Sequence, residues 1–424
     1  MRVLKQNPWL PSLGVLLAAV MIAGYARADV TTDEPGSIVI FPKVIVDGTR
    51  DTLIELTNTS TSRQYVTCVY VDTSTASPGT CSGTTPAGQL CSADEDCFAN
   101  DNGTCIRCNA VNYLLQLTPL QPTVWRVSSG RDEADQTDGI FFGSISAHSL
   151  FQGEIKCFQT DADGVPTGGN ALKGEAILEN RTSGQISEYN GLAIKAINTQ
   201  TVTPTCVGGV NAGKSCSTNS DCEGVLPNTS GVCSLALSLD NIQYNACPAQ
   251  LIVNHYGGGA EDPSTGATVT SELTLVPCTE ALETGPPTTT SVSFQGYNEF
   301  EQPLASKIVP FTCWLNITIG DLQTGDPRIT PGYDVSTVGS PFAKTRVSTS
   351  TGNQRFCNGG TNDGGLCTSD AQCTGGVCGP VLSGVLGVLE EFHDLNANPT
   401  GTAAVNLHEV GSRVLDTITL MPSQ

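Results

Sequence analysis

One cysteine spacing occurs three times in this chain and limits what the chain can fold into. The copies are Cys81, Cys91, Cys97, Cys105, then Cys206, Cys216, Cys222, Cys233, then Cys357, Cys367, Cys373, Cys378. Nine residues separate the first two cysteines of each copy and five separate the next two. The last gap is seven, ten and four residues. The third residue after the second cysteine is Asp94, Asn219 or Asp370, a short side chain whose oxygen caps turns. Glycine fills the loops, as in Cys206-Val-Gly-Gly-Val-Asn-Ala-Gly-Lys-Ser-Cys216. A unit this small cannot bury enough apolar surface to fold alone. Two internal disulfides would supply about 2–4 kcal/mol each, chiefly by restricting the unfolded chain. Glycine permits the left-handed turns that let the sulfurs meet. Four cysteines allow three pairings, so the spacing leaves connectivity open.

Disulfides are the expected state of all 18 cysteines, an even number, in an oxidising compartment. Zinc is the alternative, but the four histidines (His148, His255, His393, His408) stand at no ligand spacing to a cysteine pair. The N-terminus agrees with export. Arg2 and Lys5 precede an apolar run from Leu13 to Ile22, which ends in Ala26-Arg27-Ala28. That run is too short to span a bilayer and is read as a signal peptide, residues 1–28, cleaved before Asp29. No later stretch reads as a membrane span.

Charge excludes one class of partner. The chain has 41 acidic and 20 basic residues, a net charge of −21, and such a surface repels phosphate backbones. Nucleic acid is therefore not expected as a partner; an extracellular protein or glycan is.

The modules resemble cysteine-rich repeats of secreted proteins of environmental bacteria, and their Cys-x5-Cys core is similar to Dickkopf N-terminal-type domains. The resemblance implies an extracellular setting and carries no catalytic residue.

Between the modules the sequence reads as β-strands with period-two alternation, such as Ile38–Phe41, Val44–Val46, Tyr65–Val71 and Tyr113–Leu117. The only candidate helix, near Leu382 to Asp394, reads equally well as a strand. Short matches suggest a duplication. Trp125-Arg126-Val127-Ser128-Ser129 pairs with Thr345-Arg346-Val347-Ser348-Thr349, Phe158-Gln159-Thr160-Asp161 with Phe392-His393-Asp394, and Tyr65–Val69 with Pro310–Trp314. The expected fold is all-β, with two immunoglobulin-like sandwiches. Domain 1 would be residues 29–200, with the first module inserted at 81–108. The second module, 201–236, would lie between domains. Domain 2 would be 237–424, with the third module inserted at 357–378. Cys68 and Cys157 would form the inter-sheet bridge of domain 1 and Cys247 would pair with Cys278. Cys108 and Cys313 are left without an assigned place.

No catalytic motif occurs: no Gly-x-Ser-x-Gly elbow, no His-Glu-x-x-His, no phosphate loop and no dinucleotide fingerprint. No cofactor is expected, with calcium as the one candidate. Asp161 and Asp163 in Asp-Ala-Asp-Gly, with Asp394, are oxygen ligands of the right type, although a simple Asx turn explains the same residues. Trp125 and Trp314 suit core packing better than a carbohydrate platform. The expectation is an exported, non-catalytic structural, adhesion or binding protein that displays disulfide-stapled loops. One alternative is a hydrolase drawing on Glu154, Glu175 and Glu188, or on Glu299, Glu301 and Glu390. The other is a surface protein stabilised by calcium.

Overall fold

The computed structural model describes residues 30–74, 79–82, 90–91, 104–106, 108–131, 140–142, 144–198, 205–208, 231–234, 238–239, 242–245, 247–248, 250–278, 290–322, 333–349, 355–358, 366–367, 369–374, 377–379, 384–396, 398–409 and 413–414. The signal-peptide expectation and much of each module lie outside them. The fold is all-β, built from antiparallel sheets. The arrangement is like that of a four-bladed propeller. Among the described residues no helix is long and apolar enough to cross a membrane.

Nine strands make the frame of the first half: β1 (Ile38–Val46), β2 (Arg50–Asn58), β3 (Gln64–Asp72), β4 (Asn109–Leu117), β5 (Pro122–Arg126), β6 (Phe151–Thr160), β7 (Leu172–Asn180), β8 (Ile186–Asn190) and β9 (Leu192–Ile194). One sheet runs β9-β1-β6-β3-β4, extended at its edges by Val30–Thr31 and Ile140–Phe142; the other runs β8-β7-β2-β5. Nine more make the second half: β10 (Gln250–Tyr256), β11 (Thr268–Pro277), β12 (Thr290–Asn298), β13 (Pro303–Phe311), β14 (Leu315–Thr318), β15 (Phe342–Ser348), β16 (Val385–Leu395), β17 (Asn398–Asn406) and β18 (His408–Glu409). Their sheets run β18-β10-β15-β12-β13 and β17-β16-β11-β14. Adding nine to each strand number of the first half gives the second half's pairings. The duplication is therefore real at the level of topology, but the sequence matches that suggested it are wrong. Trp125-Arg126 lies on β5 and Arg346 on β15; Phe158 lies on β6 and Phe392 on β16; Tyr65–Val69 lies on β3 and Phe311 ends β13. The equivalent of β5 is β14, of β6 is β15 and of β3 is β12. Short β-strand sequences alternate alike, so chance matches arise easily.

β1 explains how the halves meet. Every residue of Ile-Val-Ile-Phe-Pro-Lys-Val-Ile-Val is buried, because the sheet is covered on both faces. Val39, Phe41, Val44 and Val46 face the four-stranded sheet, where Ile54, Leu56, Trp125 and Ala176 complete one core. Ile38 and Ile40 face the second half, in a core shared with Val276 and Leu386. The inward positions change from odd to even between Phe41 and Val44. A bulge does this: pairing with β6 slips between Gly153 and Ile155, and Pro42, which has no N–H to donate, sits at the slip. As a result Lys43 points at the second half.

Cys68 and Cys157 are bonded but do not bridge the two sheets. They lie directly opposite each other on β3 and β6 of one sheet, with Cα atoms 4.0 Å apart. Cys247 and Cys278 are bonded, Cα to Cα 6.0 Å. Cys108 and Cys313 pair with each other across the two halves. The first module interrupts the chain between β3 and β4, and the third between β15 and β16. In all three modules the first cysteine stands directly opposite the fourth on neighbouring strands: Cys81 and Cys105, Cys206 and Cys233, Cys357 and Cys378. Residues 385–395, the helix-or-strand ambiguity, form β16.

Candidate functional site

Two places gather polar side chains in a way that packing alone does not require. The first is the seam between the halves. Glu272 on β11 and Glu390 on β16 are direct cross-strand partners, and their carboxylates share one face of that sheet. Lys43 enters between them from β1, with its side chain fully buried. Its Nζ is 2.8 Å from Glu272 Oε2 and 2.8 Å from Glu390 Oε2. Ser187 Oγ donates to Glu390 Oε1 at 2.7 Å. The Tyr189 hydroxyl donates to Lys43 O and accepts from Lys43 N, fixing the backbone at the bulge. Burial pushes the Glu272 carboxyl up, but Lys43, Arg50 and the Asn316 amide outweigh it and hold the group below its usual range. Nearby, Lys156 Nζ lies 2.9 Å from Glu154 Oε1 and donates to Pro277 O at 3.2 Å. Trp314 donates from Nε1 to Pro42 O at 2.9 Å.

The second place is a groove of about 640 Å³ on the outer face of the five-stranded sheet. Period-two alternation builds it: on β10, Leu251 and Val253 point into the core, and Ile252 and Asn254 point out into the groove. Lys344 and Arg346 project from β15, and Tyr297, Glu299 and Glu301 lie at the end of β12 and the turn after it. The Arg346 guanidinium lies 5.9 Å from the centre of the Tyr297 ring. Aromatic, amide, cationic and carboxylate groups thus share one open concavity, a set suited to binding a polar ligand by its hydroxyl, amide or charged groups.

The residues expected from the sequence fall as follows. Glu299 and Glu301 line the groove, whereas Glu390 lies in the seam, so these three do not form one site. Glu154 is also in the seam. Glu175 stands opposite Glu55 and beside Glu188 on the outer face of the four-stranded sheet; burial, then Glu188 and Glu55, push its carboxyl up. Asp161 Oδ1 accepts from the backbone N–H groups of Asp163 and Val165 at 2.9 Å, an Asx turn closed by Gly164 at φ 80°. Asp394 belongs to the β16–β17 hairpin of the other half. Among the described residues, the one group of three or more metal-type ligand atoms is Cys367, Cys373 and Cys378. All three of these are disulfide-bonded, Cys367 to Cys378. Trp125 is buried and donates to the Tyr70 hydroxyl at 2.5 Å. Sequence reasoning missed Lys43. The signal was a lysine inside an otherwise apolar nine-residue run, a position where a charge needs a partner.

No protein-family model matches the chain, and no curated protein matches it.

Proposed function

We propose that this is an exported, non-catalytic extracellular protein, structural or adhesive, that displays its cysteine modules as stapled loops and binds a protein or glycan. The observation that carries the reading is the fastening of the frame. Two sandwich-like halves share a core, a buried ion cluster and the Cys108–Cys313 bond. A body of this kind holds inserted loops at fixed positions and resists unfolding in an unbuffered environment. The groove on the five-stranded sheet supplies a polar concavity for a ligand.

Each half is read as a variant of the immunoglobulin-like sandwich. In support, β2 lies beside β5 and β3 beside β6, a Greek-key core. The edges differ from the immunoglobulin order, since β1 lies beside β6 and β7 beside β2.

Binding assays of the secreted protein against immobilised glycans and extracellular matrix proteins test the proposal. Binding that is lost on deleting 357–378, or on replacing Arg346 by Ala, with the frame still folded, supports it. Turnover of a polysaccharide or peptide, abolished by Glu175→Gln, would replace it with the hydrolase reading.

A further inference from the structure

Lys43 is placed for chemistry as well as for charge. Its Nζ donates a hydrogen bond to Glu272 Oε2. Its contact with Glu390 is different. Oε2 of Glu390 lies 2.8 Å from Nζ yet accepts no hydrogen bond among the described residues. The contact is an ion pair in which Nζ lies against the carboxyl group. Glu390 Oε1 is already held by the Ser187 hydroxyl, which polarises the carboxyl in the sense that helps attack at Cδ. The reacting pair is buried: the Lys43 side chain is 0% and the Glu390 side chain 4% exposed, and the Phe392 ring centre is 5.9 Å from Nζ.

A proton passed from Nζ to Glu390 Oε2 across their 2.8 Å contact turns the ion pair into an amine and a carboxylic acid. A neutral amine, a neutral carboxyl and a carboxylate base within one hydrogen-bond radius are the reactants for amide formation. We propose that Lys43 and Glu390 are joined by an isopeptide bond, a second covalent link between the halves. The Nζ lone pair attacks Cδ of the protonated Glu390 carboxyl, and Glu272 takes a proton from Nζ. The Ser187 hydroxyl supports the negative charge that gathers on Oε1. Glu272 then gives its proton to the Oε2 hydroxyl. The Cδ–Oε2 bond breaks and water leaves, carrying that proton and the one already on the carboxyl. The Nζ–Cδ bond remains, and no other reactant is needed. The bond is independent of what the protein binds.

Intact mass of the full secreted chain, reduced and denatured, tests this once the N-terminal residue is known. The expected mass is lighter than the sequence by one water, and a digest links the peptide holding Lys43 to the peptide holding Glu390. Glu272→Gln is expected to restore the missing water and release the two peptides. Should that variant fail to fold, the wild-type protein answers alone. Nicked by protease between residues 43 and 390, then reduced and denatured, it is expected to remain one species. A wild-type mass equal to the sequence, with Lys43 and Glu390 in separate linear peptides, overturns the proposal. A Glu272→Gln protein that still carries the link overturns the role of Glu272 as base.

Discussion

Gly174 on β7 and Gly387 on β16 occupy the same place in the two halves. Gly174 stands opposite Leu56, and Gly387 opposite Leu275. The Gly174 carbonyl accepts from Gly191 N–H at 2.8 Å, and the Gly387 carbonyl from Leu407 N–H at 3.0 Å. A Cβ at Gly174 would come within 2.9 Å of Glu55 O, and one at Gly387 within 2.7 Å of Thr274 O. Glu55 and Thr274 each precede the opposing leucine. Both glycines therefore exist because a neighbouring backbone passes too close for a side chain. Gly174→Ala and Gly387→Ala are each expected to destabilise the protein by about 1–3 kcal/mol, the usual cost of overpacking a core. Urea unfolding measures both. A variant as stable as wild type would show that the strands part easily there.

That pair also shows what could be read in the sequence and what could not. The tripled cysteine spacing is covalent information and stands out against any background. The all-β class follows from alternation and β-branched residues. The duplication was detectable only through short strand matches, and those chose the wrong partners, because alternation repeats every two residues and offers many registers. The position-specific signal was the lone glycine at 174 and at 387, where a steric rule applies. The Cys108–Cys313 pairing was not legible because it depends on how two independently patterned bodies dock. The Lys43 site depends on the same docking and on the bulge at Pro42.

The Cys108–Cys313 bond closes a separation of 205 residues. It restricts the unfolded chain and ties β4 to the loop between β13 and β14. The double replacement Cys108→Ser, Cys313→Ser is expected to lower stability by about 2–4 kcal/mol. Guanidinium unfolding under non-reducing conditions reads this. A loss well below that range would mean that the other links already hold the halves together.

Peptide mapping without reduction is expected to return Cys68–Cys157, Cys108–Cys313, Cys247–Cys278 and Cys367–Cys378. The last bond joins the second and fourth cysteines of its module. All three modules set the first cysteine opposite the fourth in the same strand register. The map is therefore expected to show Cys91–Cys105 and Cys216–Cys233 as well. A first-to-fourth bond in either module would break the equivalence that the shared register implies.

His255 gives stability a pH dependence that one substitution can isolate. Burial in the second half pushes its pKa from the usual 6.5 down to about 4, against the opposing pull of the Tyr256 carbonyl. Nδ1 donates to Tyr256 O at 2.8 Å, which leaves Nε2 to accept from the Thr345 hydroxyl at 2.8 Å. The folded protein refuses a proton that the unfolded chain accepts. The contribution is complete above about pH 6.5 and is lost as pH falls towards 4, by at most about 3 kcal/mol. Glu175 and Glu391 act in the opposite sense above pH 4.5, since burial raises both. Comparison with His255→Gln removes their effect from the measurement. Urea midpoints at pH 7 and pH 4.5 are expected to differ less in the variant than in the wild type. Equal differences would mean that His255 takes up its proton without unfolding the strands around it.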